Sequence, residues 1–215
     1  DPGPGTAVRT ATAYSAYIAK YTSDGELMWV NEFLSTHSVH LGDLEIDAAD
    51  NVYAAGVFYQ DIDLLPGTGT NLITTLNYQA IMMKMTSNGS IVYTYTTETT
   101  TGQSAVNNLA VNAFNEVYMT NFQYGVADYD NGPGSQIIDN QVSGSLYYLV
   151  KLNQDGTLNW VKDLEPEVYD MAIDSTGKLV LTGLFYNATI DIAPGTPVFN
   201  ITKTNPGDNF IFSVD

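Results

Sequence analysis

Two Asp-x-Asp pairs, Asp61/Asp63 and Asp128/Asp130, each lead into a Pro-Gly corner, in DIDLLPGT and DYDNGPGS. Ca²⁺ takes hard oxygens presented by a turn, and the recurrence of the pair makes these four residues the metal candidates of the chain. Asp-x-Asp alone supplies few ligands and the spacing of a Ca²⁺ loop is missing, so the competing reading is that the aspartates accept hydrogen bonds from turn amides. His37 and His40, beside Asp43 and Glu45, form the histidine cluster of the sequence. HSVH puts two imidazoles on one face only as helix, and this stretch falls in a strand connection, so exposed loop histidines are expected rather than zinc ligands. A Ser nucleophile elbow, a phosphate-cradling glycine loop and H-E-x-x-H are missing from the sequence. Carboxylate pairs for glycoside hydrolysis can be drawn anywhere among 24 acids and discriminate nothing. The expectation is a non-enzymatic chain with no cofactor, Ca²⁺ being the one ion its residues suggest.

The elements that must position these residues are β-strands. With 215 residues, 44% of them hydrophobic, the chain can build a sizeable core. Acids outnumber bases 24 to 7, and the formal charge of −17 disfavours nucleic acid and anionic membrane surfaces as partners. There is no cysteine, which excludes disulfides and Cys-based zinc sites. No apolar run approaches the ~20 residues of a membrane-spanning helix. DPGPGT at the start has neither a charged nor an apolar leader region, so the chain reads as soluble and as processed or excised at both ends.

Self-comparison shows three landmarks recurring in one order. Lys20, Lys84 and Lys151 hold one place in AYIAKYTSDGELMW, AIMMKMTSNGSIVY and YYLVKLNQDGTLNW, at spacings of 64 and 67, and Ser213 falls 62 further on. Ile46, Val111 and Ile173 correspond in EIDAADNVYAAG, AVNAFNEVYMTN and AIDSTGKLVLTG, and Pro4, Pro66, Pro133 and Pro194 mark the corners. Asp24-Gly25, Asn88-Gly89 and Asp155-Gly156 lie between β-rich runs, where Asx-Gly suits a two-residue hairpin turn with positive φ. The second landmark predicts another hairpin, so one repeat holds four strands, with short extra strands near Leu72–Thr75 and Val198–Thr202. No segment sustains a helical apolar period. The fold class is therefore all-β, a β-propeller-like array of four-stranded antiparallel blades, with approximate repeats 1–60, 61–127, 128–190 and a partial 191–215. A parallel β-helix is the structural competitor, but it predicts shorter coils and no Asx-Gly hairpins. Trp29, Tyr93 and Trp160 recur at one strand position and are expected to pack between blades.

In chain order the strands come in groups of two, four, four and three, so the last blade lacks one member. The strand holding Phe210, Ile211, Phe212 and Val214 is expected to present unpaired backbone beside large apolar side chains, a template for strand addition. Two explanations compete: the 215 residues are a segment of a longer repeat protein, or a neighbouring subunit supplies the missing strand, giving head-to-tail filaments.

The chain resembles the bacterial DFDPGPGT…FVxKLDxxGxxxW…AVDxxGNVYxTGxF repeats of secreted, mainly Bacteroidota, proteins, which are related to SBBP-type β-propeller repeats. DPGPGT (Asp1–Thr6), DIDLLPGT (Asp61–Thr68), DYDNGPGS (Asp128–Ser135), KLNQDGTLNW (Lys151–Trp160) and IDAADNVYAAGVF (Ile46–Phe58) carry the likeness. Tyr93 stands where Trp29 and Trp160 sit, and Thr189 replaces the first Asp seen at Asp61. The resemblance implies a bacterial, exported, extracellular or cell-surface, adhesin-like structural module; the uncovered last strand makes itself or neighbouring repeats the expected partners, by edge-strand pairing, and the lack of a long apolar run makes membrane insertion unexpected. The alternatives are a glycan- or Ca²⁺-binding propeller fragment and an accessory domain of a larger secreted enzyme. Asn88-Gly-Ser, Asn187-Ala-Thr and Asn200-Ile-Thr are formal glycosylation sequons, and Asp174-Ser-Thr resembles the O-glycosylation acceptor of Bacteroidota.

Overall fold

A computed structural model describes residues 14–65, 69–140, 146–187, 189–192, 199–202 and 208–214. Every regular element in them is a β-strand. An antiparallel hairpin, β1 (Tyr14–Tyr21) and β2 (Leu27–Ser35), comes first. An antiparallel meander follows in chain order, β3 (Ser38–Ile46), β4 (Val52–Asp63), β5 (Leu72–Met85) and β6 (Ile91–Thr96). β7 (Glu98–Val111), β8 (Val117–Asp128), β10 (Leu146–Leu152) and β11 (Leu158–Leu164) repeat it, and β12 (Glu167–Ile173), β13 (Leu179–Phe185) and β16 (Asp208–Val214) repeat its first three strands. Three short strands, β9 (Ile137–Asp139), β14 (Thr189–Asp191) and β15 (Asn200–Thr202), extend the middle connections into small hairpin arms. The all-β expectation and the main strand positions hold. Among the described residues no strand pairing closes the array.

Backbone hydrogen bonds barely join one group of strands to the next. Leu34↔Asp63 links β2 to β4, and one parallel pair, Tyr78↔Gln103, links β5 to β7. The groups are held as layers by side chains instead. Strands alternate their side chains between faces, and in the two complete meanders both faces are apolar. Val52, Ala54, Phe58, Ile81, Met83 and Met85 pack back against Ile18 and Phe33 of the first hairpin. Tyr53, Ala55, Ala80 and Met82 point the other way and meet Val117, Met119, Tyr148 and Val150 of the next meander. On that meander's far side, Ala110 and Leu149 meet Met171, Leu179, Leu181 and Phe210 of the last. Each large side chain so buried contributes about 1.5–3 kcal/mol, which explains why non-alternating runs such as IMMKM and LYYLV are strands.

The hairpin turns correct the sequence reading. They are type I turns closed by a bulge, in which Gly25, Gly89 and Gly156 alone take positive φ, at 84°, 87° and 86°, and the preceding Asx does not. The same bonds recur in each: Thr22, Thr86 and Asn153 accept from Gly25, Gly89 and Gly156, and donate to Glu26, Ser90 and Thr157. The second-landmark turns use identical pairing, with Asp50, Asn115 and Gly177 at the left-handed position. The first strand of every meander also carries a bulge at one place, between Leu41 and Asp43, Val106 and Asn108, or Val168 and Asp170. Opposite two of these bulges stand Gly56 and Gly183, where a Cβ would overlap the carbonyl oxygens of His40 and Glu167.

Candidate functional site

The Asp-x-Asp pairs are not equivalent pairs. Asp63 Oδ1 accepts the N–H groups of Leu65 and Asn71 at 3.1 and 2.9 Å. Asp128 Oδ1 accepts those of Asp130 and Gln136 at 3.0 and 2.7 Å, and its Oδ2 accepts the Ser135 hydroxyl. Asp191 Oδ1 accepts Phe199 N–H at 2.8 Å. The structural series is therefore Asp63, Asp128, Asp191, and each clamps a hairpin arm by accepting from the residue eight further on. Leu64, Tyr129 and Ile192, next in line, each donate to the carbonyl of that same distant residue. Asp61 instead binds the β2–β3 connection, accepting from Ser35 Oγ, Thr36 N–H and Thr36 Oγ1. Asp130 Oδ1 accepts Gly132 N–H within its own turn. Burial would raise Asp61 and Asp128, but these hydrogen bonds outweigh it and hold both carboxyls below the usual range. Asp1–Thr6, residues 66–68 and residues 193–198 of the corners lie outside the described residues.

All four proposed metal residues thus have oxygens committed to turn donors, and among the described residues no three His, Asp or Glu side chains gather as a ligand set. His37 and His40 are both exposed. His37 pairs with Thr36 Oγ1 through Nδ1 and meets Tyr59 edge-on at 5.7 Å, whereas His40 lies in β3 rather than in the connection. Two open grooves of about 500 Å³ flank the hairpin arms, one lined by Leu64, Asn71, Ile91 and Tyr93, the other by Gln136, Lys162, Glu165 and Asp191.

The Lys landmark marks a polar cluster that sequence reasoning missed. Lys84 stands opposite Tyr53 across β4–β5, and Lys151 opposite Tyr118 across β8–β10, with each ammonium 5.0 or 5.2 Å from the ring centroid. An acid from the adjacent turn completes it: Asp47 lies 3.9 Å from Lys84, and Glu116 lies 2.8 Å from Lys151. The Lys151 hydrogen bond holds Glu116 low, and although burial opposes it, Glu116 and Tyr118 hold Lys151 above its ordinary value. Asp47 also caps its turn, accepting from Ala49 and Asn51, and takes the Tyr53 hydroxyl at 3.1 Å. The signal was present as Tyr seven residues after Ile46 and Val111. In the last meander both cross-strand partners change together, to Val180 opposite Ser213.

The recurrent aromatic position behaves as layer packing. Trp29 lies on the Gly89 turn of the next layer and donates Nε1–H to the Ser87 carbonyl at 2.9 Å, and Tyr93 lies likewise on the Gly156 turn. Trp160 meets Tyr118 at 6.2 Å with Lys162 over its ring.

β16 pairs with β13 from Leu179↔Val214 to Phe185↔Asp208, and no described strand pairs with its other edge. The expectation for its side chains needs correction. Phe210 and Phe212, 5.1 Å apart, turn inward onto the third core cluster, and Ile211 is the exposed apolar member, while the Val214 side chain lies outside the described residues. Thr182 Oγ1 donates to the Phe210 carbonyl. Phe210 thus turns its backbone groups toward β13, and by alternation those of Asn209, Ile211 and Ser213 face the open edge.

No protein-family model matches this chain, and a search of the curated proteins finds no match.

Proposed function

We propose that the chain is a non-enzymatic structural module of a β-propeller-like, extracellular repeat protein, and that it assembles by adding a strand at β16. The open edge of β16 is the observation that carries this reading. Such an edge is a template for another strand. The likeness to exported, adhesin-like Bacteroidota repeats supports the extracellular setting, and the commitment of the repeated acids to turns supports a scaffold over a catalyst.

Three edge residues offer six backbone groups, and at roughly 0.5–1.5 kcal/mol net each the gain is roughly 3–9 kcal/mol. Association costs an estimated 4–15 kcal/mol, so edge pairing needs apolar burial beside it. Ser213→Pro removes one outward N–H without touching a core side chain. Light scattering and electron microscopy should show assemblies of the 215-residue chain that Ser213→Pro and deletion of residues 208–215 abolish. Polymers unchanged in Ser213→Pro would contradict strand addition.

A further inference from the structure

The three Lys residues and Ser213 put the four third strands of the repeat in one register. Three positions before that mark stand Tyr17, Ile81, Tyr148 and Phe210, of which the last three pack on the preceding layer and Tyr17 stands on the corresponding outer side of the first hairpin. Two positions before it stand Ile18, Met82, Leu149 and Ile211, of which the first three pack on the following layer and Ile211 stands on the corresponding outer side of the last meander. At every internal interface both positions are closed: Ile81, Tyr148 and Phe210 are 0, 1 and 6% exposed, and Ile18, Met82 and Leu149 are 6, 0 and 0% exposed. Tyr17 at one end of the stack is 72% exposed and Ile211 at the other is 78% exposed. They are the two halves of a contact the molecule makes three times within itself.

Further apolar residues lie on these end faces, although Glu32 stands directly opposite Tyr17, and Thr182, with Asp170 behind it, stands opposite Ile211. Met28 and Leu34 lie exposed on the outer side of β2, beside Tyr17 and Tyr21 of β1. The Gly25 turn has no atom within 4 Å of an added Cβ, whereas the Gly89 and Gly156 turns are covered by Trp29 and Tyr93 of the layer before. Val180 and Leu184 flank Ile211 on the outer side of the last meander.

We infer that a second copy of this chain seats the outer face of its β1–β2 hairpin on the outer face of β12–β13–β16, with Tyr17 of one copy over Ile211 of the other. Between copies of these residues the contact is heterologous, so it closes into a ring where the rotation per copy permits and runs on as a filament where it does not. It deepens the assembly reading by naming the partner and the apolar surface, but it runs through side chains of a face rather than the backbone of an edge. Continuity with the internal interfaces selects this occupant, because the end faces repeat the apolar positions those interfaces bury.

Sedimentation velocity on the full 215-residue chain with Tyr17→Asp and Ile211→Asp, like charges that cannot pair with each other, tests it, both side chains being exposed and outside the core. The parent should associate with rising concentration, and each variant alone should associate about tenfold or more weakly. An equimolar mixture of the two variants should form dimers and stop there, since one retains a free tail and the other a free head. Variants that assemble like the parent, a mixture that stays monomeric, or a parent that never associates would overturn the proposal. Assembly lost in Ser213→Pro but kept in both charge variants would likewise overturn the face contact while leaving strand addition standing.

Discussion

Asp128 shows what the repeated carboxylates do. It ties the two ends of a hairpin arm together through Asp130, Gln136 and Ser135. Hydrogen bonds to a charged acceptor are worth about 1.5–3 kcal/mol when well made, and this residue is only half-buried, so Asp128→Ala should cost about 1–2 kcal/mol by urea unfolding at neutral pH. Its folded carboxyl sits below the ordinary 3.8. The stabilisation is therefore complete above that value and is lost as pH falls through the lower folded value. The gap between parent and Asp128→Ala should close in strong acid, and a gap independent of pH would show that the carboxylate does not hold the arm. Sequence alone offered Asp61 with Asp63 and Asp128 with Asp130 because the Pro-Gly corners were taken as the register. Strand pairing sets the register instead, and it places Pro133 five residues after its Asp where Pro66 and Pro194 follow theirs by three.

Among the elements, the bulge opposite Gly56 is the most exacting. β3 gains a residue between Leu41 and Asp43, and the displaced His40 carbonyl occupies the space a side chain at position 56 would need. Gly56→Ala should destabilise the chain by about 2 kcal/mol or more, read as a lower urea midpoint, and an unchanged midpoint would mean the bulge yields. The Gly25, Gly89 and Gly156 turns were legible because a hairpin turn is a local event, written in consecutive residues, although the turn type was not. The bulges were illegible because they depend on a carbonyl from the neighbouring strand. The Lys84–Tyr53 and Lys151–Tyr118 pairs were half legible: the lysines recur visibly, but their partners lie one strand away. Phe210 and Phe212 read as exposed edge residues because their alternation with Ile211 gains meaning only once β13 covers one face.

At the scale of the whole molecule, four layers pack through apolar faces while backbone pairing between them is sparse. Each internal layer takes one neighbour on each face, as in repeat arrays. The charge of −17 on every copy opposes association at long range, so the contact positions must be apolar and added salt favours assembly. Amide hydrogen exchange of β16, followed as the chain is concentrated, tests assembly through this strand most directly. The N–H groups of Ile211 and Ser213 should exchange freely in dilute solution and become protected as copies associate, while that of Phe210, turned toward β13, stays protected throughout. Exchange at Ile211 and Ser213 that is equally fast at every concentration would contradict strand addition at this edge.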